Sequence, residues 1–185
     1  MFTYMDDDLY SNMKKKSKIN IFKDYTKFLN DNNEIDEDED NLVGTFGHEF
    51  IKFIENTSMS KTYKIPVILA FYNDGKMKLK IDDDDLYKSF KEFYSKGSNG
   101  VDMLKDKSTA KFRTWEKKQY VYLARKNPVH FLCKSSSEFF TMEGDKICLN
   151  KDLNLYLGDE SFINHVKDAI DFRTKEYYKN RFDNK

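Results

Sequence analysis

Few residues here punctuate or crosslink a chain. Two Pro and seven Gly among 185 residues leave too little for a linker-rich or low-complexity polypeptide. The only two cysteines, Cys133 and Cys148, sit in apolar runs outside any CxxC or Cys/His cluster. That excludes a disulfide scaffold and leads us to expect reduced core thiols in a cytoplasmic setting. No apolar run approaches the roughly 20 residues of a membrane span, and the opening MFTYMDDDLY carries acid where a signal peptide needs base. Neither export nor membrane insertion is expected. Catalytic signatures are missing too, with no G-x-x-x-x-G-K-[ST] loop and no G-x-S-x-G elbow. Gly44-Thr45-Phe46-Gly47 lacks the lysine of a phosphate loop. His48, His130 and His165 stand apart, without ligand spacing. No catalytic residue, metal or cofactor is therefore expected.

What the chain does have is aromatic mass and segregated charge. Sixteen Phe and 12 Tyr within a 39% apolar content suffice for a core despite 35% charged residues. The 32 basic and 32 acidic residues cancel overall, but not locally. Between Lys96 and Lys134, ten Lys/Arg face only Asp102, Asp106 and Glu116, an excess of +7. Seven carboxylates and no base fill Asp31 to Asp40, and Asp82 to Asp85 adds four more. Such asymmetry points to an acidic partner more than the overall neutrality argues against one.

Residues Met1 to Lys18 show no period and read as an exposed end. Ile21, Tyr25, Phe28 and Leu29 mark one face of a first helix, and Leu42, Val43, Phe46, Phe50, Phe53 and Ile54 that of a second. The acidic run before the second helix favours its dipole and lacks the spacing of an EF-hand loop. IPVILAFY reads as a strand, paired through Asn73-Asp74-Gly75 with the alternating KMKLKI. Met77, Leu79 and Ile81 should face inward, and Lys76, Lys78 and Lys80 outward. The aspartates at 82–85 should cap a helix ending at Gly97, and the polar loop after it holds a short apolar knot at Val101, Met103 and Leu104. Phe162, Ile163, Val166, Ile170 and Tyr177 describe a closing helix over 159–182.

The stretch from Trp115 to Leu149 orders these signals most tightly. An amphipathic segment ends at Asn127-Pro128, a second short apolar segment follows to about Ser135, and two β-prone runs then flank Glu143-Gly144-Asp145. Helix, turn, helix, hairpin is the order of a winged helix-turn-helix. The fold expected is α+β: a winged-helix-like domain over 64–185, with an added β-hairpin and the closing helix, behind an N-terminal helical segment over 1–63 that contains the acidic run. Either Pro128 to Ser136 or the longer Trp115 to Lys126 could be the reading helix. The residues expected to meet DNA are Lys105, Lys107, Lys111, Arg113, Lys117, Lys118, Arg125, Lys126, His130 and Lys134, since phosphate neutralisation by Lys and Arg supplies sequence-independent affinity. The acidic hairpin tip and the scarcity of base-reading Arg and Asn favour backbone contact, with duplex or single-stranded DNA as partner. A protein-docking role, toward motor domains or a partner subunit, is the alternative.

The segments NNEIDEDEDNLVGTFGHEFIKFIENTSMSKTYKIPVILAFYNDGK, SFKEFYSKGSNGVDMLKDKST and KNPVHFLCKSSSEFF together resemble the C-terminal accessory region of large bacterial DEAD/DEAH-box helicases. These are superfamily 2 proteins associated with restriction and phage defence. The resemblance runs from about Asn33 onward and lacks the family's phosphate-binding loop and DEAD/DEAH box, so no ATPase or unwinding residue carries over. It implies a non-catalytic accessory role in DNA processing.

Overall fold

Side-chain oxygens open several of the helices in the computed structural model, which describes residues 21–35, 39, 41–73 and 75–183. Met1 to Lys18 and most of the acidic run lie outside them. Asp24 accepts from the Lys27 N–H at 3.2 Å, Thr45 from that of His48 at 3.3 Å, and Asp82 from those of Asp84 and Asp85 at 2.9 and 3.1 Å. Each satisfies a donor that a helix start leaves unpaired.

In chain order the elements begin with a 3-10 turn at Ile21–Lys23, α1 (Tyr25–Asp31), α2 (Phe46–Asn56) and α3 (Lys64–Phe71). Three short strands follow, β1 (Tyr72–Asn73), β2 (Lys76–Met77) and β3 (Lys80–Ile81), then α4 (Asp83–Ser95) and α5 (Val101–Lys105). After these come α6 (Lys117–Ala124), a π turn (Arg125–Val129), α7 (His130–Ser135), β4 (Phe140–Glu143), β5 (Lys146–Leu149) and α8 (Glu160–Asp183). The result is α+β, mixed helix and antiparallel sheet.

Two compact units result. The first comprises the described residues of Met1–Ser58 and of Leu155–Lys185. Its core joins Phe50, Ile51 and Ile54 of α2 to Phe162, Val166 and Ile170 of α8, while Phe22 stacks on Phe172 at 5.2 Å. The closing helix, expected with the 64–185 segment, thus groups with the N-terminal helices, because its apolar face finds that of α2.

The second unit is Met59–Asn154. IPVILAFY is not the expected strand but helix α3, in which Ile65, Val67, Ile68 and Phe71 are fully buried. Pro66 is tolerated because it lies in the first turn, where no N–H to i−4 bond is needed. Burial on all sides erased the helical period that would have distinguished the two states. The Gly75 turn, at φ +81°, does form its hairpin, but between β1 and β2. β3 instead joins a second sheet in the order β3-β5-β4, with Ile81 opposite Ile147 and Phe140 opposite Leu149. Helix α4 packs on α3, where Ser89 donates to the Pro66 carbonyl at 2.6 Å, and on α6.

The turn expected at Asn127-Pro128 is absent. Backbone angles stay right-handed helical from Ala124 (φ −59°, ψ −50°) to His130 (φ −55°, ψ −47°), so α6, the π turn and α7 form one helix. Pro128 lacks an N–H and its ring crowds the carbonyl four residues back. A wider π turn accommodates both without ending the helix.

Candidate nucleic-acid interface

The π turn matters for the surface as well as for the backbone. In an unbroken α-helix, four successive steps of four residues drift about 160° around the axis. A π turn absorbs about one residue, or 100°, which leaves roughly 60°. Lys118, Tyr122, Lys126, His130 and Lys134 therefore stay on one face, and all five are exposed. This ladder alternates cation and ring along the helix. Tyr120, Ala124, Val129 and Leu132 bury the opposite face.

The expected cations separate into two groups. Lys117 donates to Asp84 at 2.7 Å, which pushes its ammonium above the usual range. Arg125 donates to Asp83 at 2.6 Å and to the Asp145 carbonyl at 2.5 Å. Both are thus held by the acidic start of α4, whose third carboxylate, Asp85, takes Lys78 at 2.5 Å. Lys80 pairs with Glu143, so two of the three lysines in the row expected to face solvent are neutralised and the acidic hairpin tip is partly offset. Lys118 and Lys134 make no ion pair among the described residues. Lys126 bonds the Tyr122 hydroxyl at 3.0 Å, and His130 meets Phe131 edge-on at 5.3 Å. Lys105, at the end of α5, and Lys107 and Lys111, in the following loop, are exposed, while Arg113 lies 5.7 Å from the Phe112 ring centroid. Of the ten expected residues, four thus share the ladder, two are bound into the fold, and four sit on the approach before α6.

Beside the ladder runs a groove of about 1340 Å³. It is lined by Lys118, Tyr122 and Lys126 of the helix and, from earlier in the chain, by Ser108, Thr109 and the Lys61–Asp106 pair at 2.6 Å. Trp115 also lines it and packs edge-on to Tyr120 at 5.4 Å, serving core and groove together. A smaller pocket of about 390 Å³ lies between α7 and the hairpin, against Cys133, whose thiol burial pushes up. Sequence reasoning passed over Tyr122, although its place four residues after Lys118 and four before Lys126 was a readable signal.

In the first unit the histidines are tied into the fold. The Gly44 N–H donates to His48 Nδ1 at 3.0 Å, so Nε2 carries the proton it shares with Asp24 at 2.7 Å. His165 meets Glu39 at 2.9 Å. Among the described residues no group of three or more His, Cys, Asp or Glu is placed to hold a metal ion, and no helix is long and apolar enough to cross a membrane. Comparison with protein-family models, curated proteins and solved structures finds no match.

Proposed function

We propose that Met59–Asn154 is a non-catalytic DNA-binding module of winged-helix-like build, which contacts the phosphate backbone through the helix formed by α6 and α7. The observation that carries this reading is the exposed ladder of Lys118, Lys126, His130 and Lys134 on one face, approached by the exposed Lys105, Lys107 and Lys111. The order α3, β3, α4, α6–α7, β4, β5, with β3 beside β5, supports the winged-helix-like assignment, with the single long helix in the reading position. The helicase-like resemblance of the sequence suggests the setting, an accessory part of a cytoplasmic DNA-processing or phage-defence machine.

The test is fluorescence anisotropy with labelled DNA over a salt series. Binding that weakens steeply with salt and is lost in Lys118→Glu/Lys134→Glu supports the reading. No binding at low salt would falsify it. Docking to motor domains or a partner subunit is the second reading, favoured by Phe131 and Met142, which are 48% and 41% exposed beside this same face. Capture of a motor domain that survives Lys118→Glu/Lys134→Glu and fails with Phe131→Ser would select it.

A further inference from the structure

Tyr122 is 63% exposed, more than any other aromatic residue described. Among the described residues its ring meets no other ring, and its one polar partner is the Lys126 ammonium, 3.0 Å from the hydroxyl and 5.2 Å from the ring centroid. For the fold alone the position has no use for it. Tyr is a weaker helix former than Lys or Gln, and an exposed ring on the face opposite the core buries little area. An amphipathic ring held out between two cations is instead what a base-stacking platform requires. Lys118 and Lys126 lie one turn to either side, about 6 Å along the axis, where they can hold phosphates flanking a stacked base.

The chemistry of stacking selects the form of the ligand. A base offers its face to a protein ring only where it is unstacked from its neighbours, which a single strand permits and an intact duplex does not. The side-chain amides of Gln119 and Asn127 also line the groove and offer donors and acceptors to base edges that only an unpaired strand presents there.

We infer that the groove along α6 binds single-stranded nucleic acid, with one base stacked on Tyr122 and its flanking phosphates held by Lys118 and Lys126. This rests on the phosphate-contact reading above and adds the strand form and the stacking residue. The 2′-hydroxyl distinguishes the two sources, DNA and RNA.

The experiment titrates the full chain with four labelled probes: a mixed-sequence DNA strand, the same strand in RNA, the matching DNA duplex, and a DNA strand whose central nucleotides are abasic. Both base-bearing strands should bind at least tenfold tighter than the duplex, and any difference between them names the preferred source. Tyr122→Ala should weaken strand binding by roughly 5- to 150-fold, while Tyr122→Phe retains it. The abasic strand should lose a similar factor with the unaltered protein and show no further loss with Tyr122→Ala. The abasic arm needs no variant to fold. Equal binding of strand and duplex, or full-strength binding of the abasic strand, overturns the stacking inference and leaves phosphate contact standing. No binding to any probe overturns both.

Discussion

Arg125 donates from Nε to an Asp83 carboxylate oxygen at 2.6 Å, and this pair ties the α6–α7 helix to the start of α4. Its Nη2 also holds the Asp145 carbonyl at the hairpin tip. Arg125 therefore braces three elements, whereas Lys118 braces none. Arg125→Ala should lower unfolding free energy by about 1 kcal/mol, because the pair is partly solvated, and leave the salt dependence of nucleic-acid binding unchanged. Lys118→Ala should do the reverse, holding stability within about 0.5 kcal/mol and reducing the slope of log K against log salt by about 0.7 to 0.9. Urea titrations and anisotropy at four salt concentrations check both. A reduced slope in Arg125→Ala counts against the partition.

Glu55 of α2 is buried at 6% exposure and receives a long bond of 3.4 Å from the Tyr25 N–H. Burial, reinforced by the nearby Asp24 and Asp168 and opposed by the Tyr25 bond and Lys52, pushes its carboxyl up from 4.5 to about 8. The folded state then holds this proton more tightly than the unfolded chain. The associated stability is full below about pH 4.5 and is lost as pH rises through about 8, a change on the order of a few kcal/mol. Glu55→Gln removes the titration. It should match the unaltered protein near pH 5 and exceed it at pH 8.5 in urea unfolding. Parallel pH profiles for the two proteins rule the mechanism out.

How much of this was readable depended on whether the signal was local. The aspartates at 82–85, the Gly144 turn and the period of the closing helix all act within a few residues, and each element formed where the sequence placed it. IPVILAFY failed because a short run buried on every side has no period to read. Asn127-Pro128 failed because a proline signals a break, while the alternative, a π turn, depends on what the helix packs against. The basic residues were located as a region, but not sorted. Lys117 and Lys118 look equivalent in sequence, yet about 100° of helix aims one at Asp84 and the other at solvent. That sorting is tertiary, set by α4 packing on α6.

The start of α4 gives a sharper test of a local signal. Asp82 accepts two backbone bonds, and the Asp85 carboxylate accepts from the Asp82 N–H at 3.1 Å, closing a reciprocal cap. Those bonds, from Asp85 first and then Asp84, hold the Asp82 carboxyl below its usual range. Its contribution is therefore present above about pH 4 and fades as pH falls through the depressed value. Asp82→Ala should cost about 1 kcal/mol at pH 7, and Asp82→Asn much less, since Asn caps nearly as well. The gap between Asp82→Ala and the unaltered protein should narrow in acid. Equal losses for Ala and Asn at pH 7 would show that charge, not the cap, is what matters.

Gly100 tests the packing under the loop that leads to α6. A Cβ there would lie 2.8 Å from Cζ of Phe112 and 3.1 Å from the Tyr94 carbonyl oxygen. Neither neighbour yields easily. Phe112 and Tyr94 are each 2% exposed and meet edge-on at 6.2 Å, while the Phe112 carbonyl is held by the Tyr120 hydroxyl at 2.8 Å. Gly100→Ala should therefore displace the Phe112 ring and lower stability by about 1 to 3 kcal/mol, as overpacking does. Gly158→Ala, where a Cβ meets nothing within 4 Å, is the control and should be near neutral. Because Tyr120 sits on the inner face of α6, the displacement should also reach the α6–α7 helix, and Trp115, edge-on to Tyr120 and the only tryptophan in the chain, reports it directly. A shift of Trp115 emission in folded Gly100→Ala, absent in Gly158→Ala, is the expected result. An unshifted spectrum with unchanged stability would mean the Phe112 ring moves aside without load.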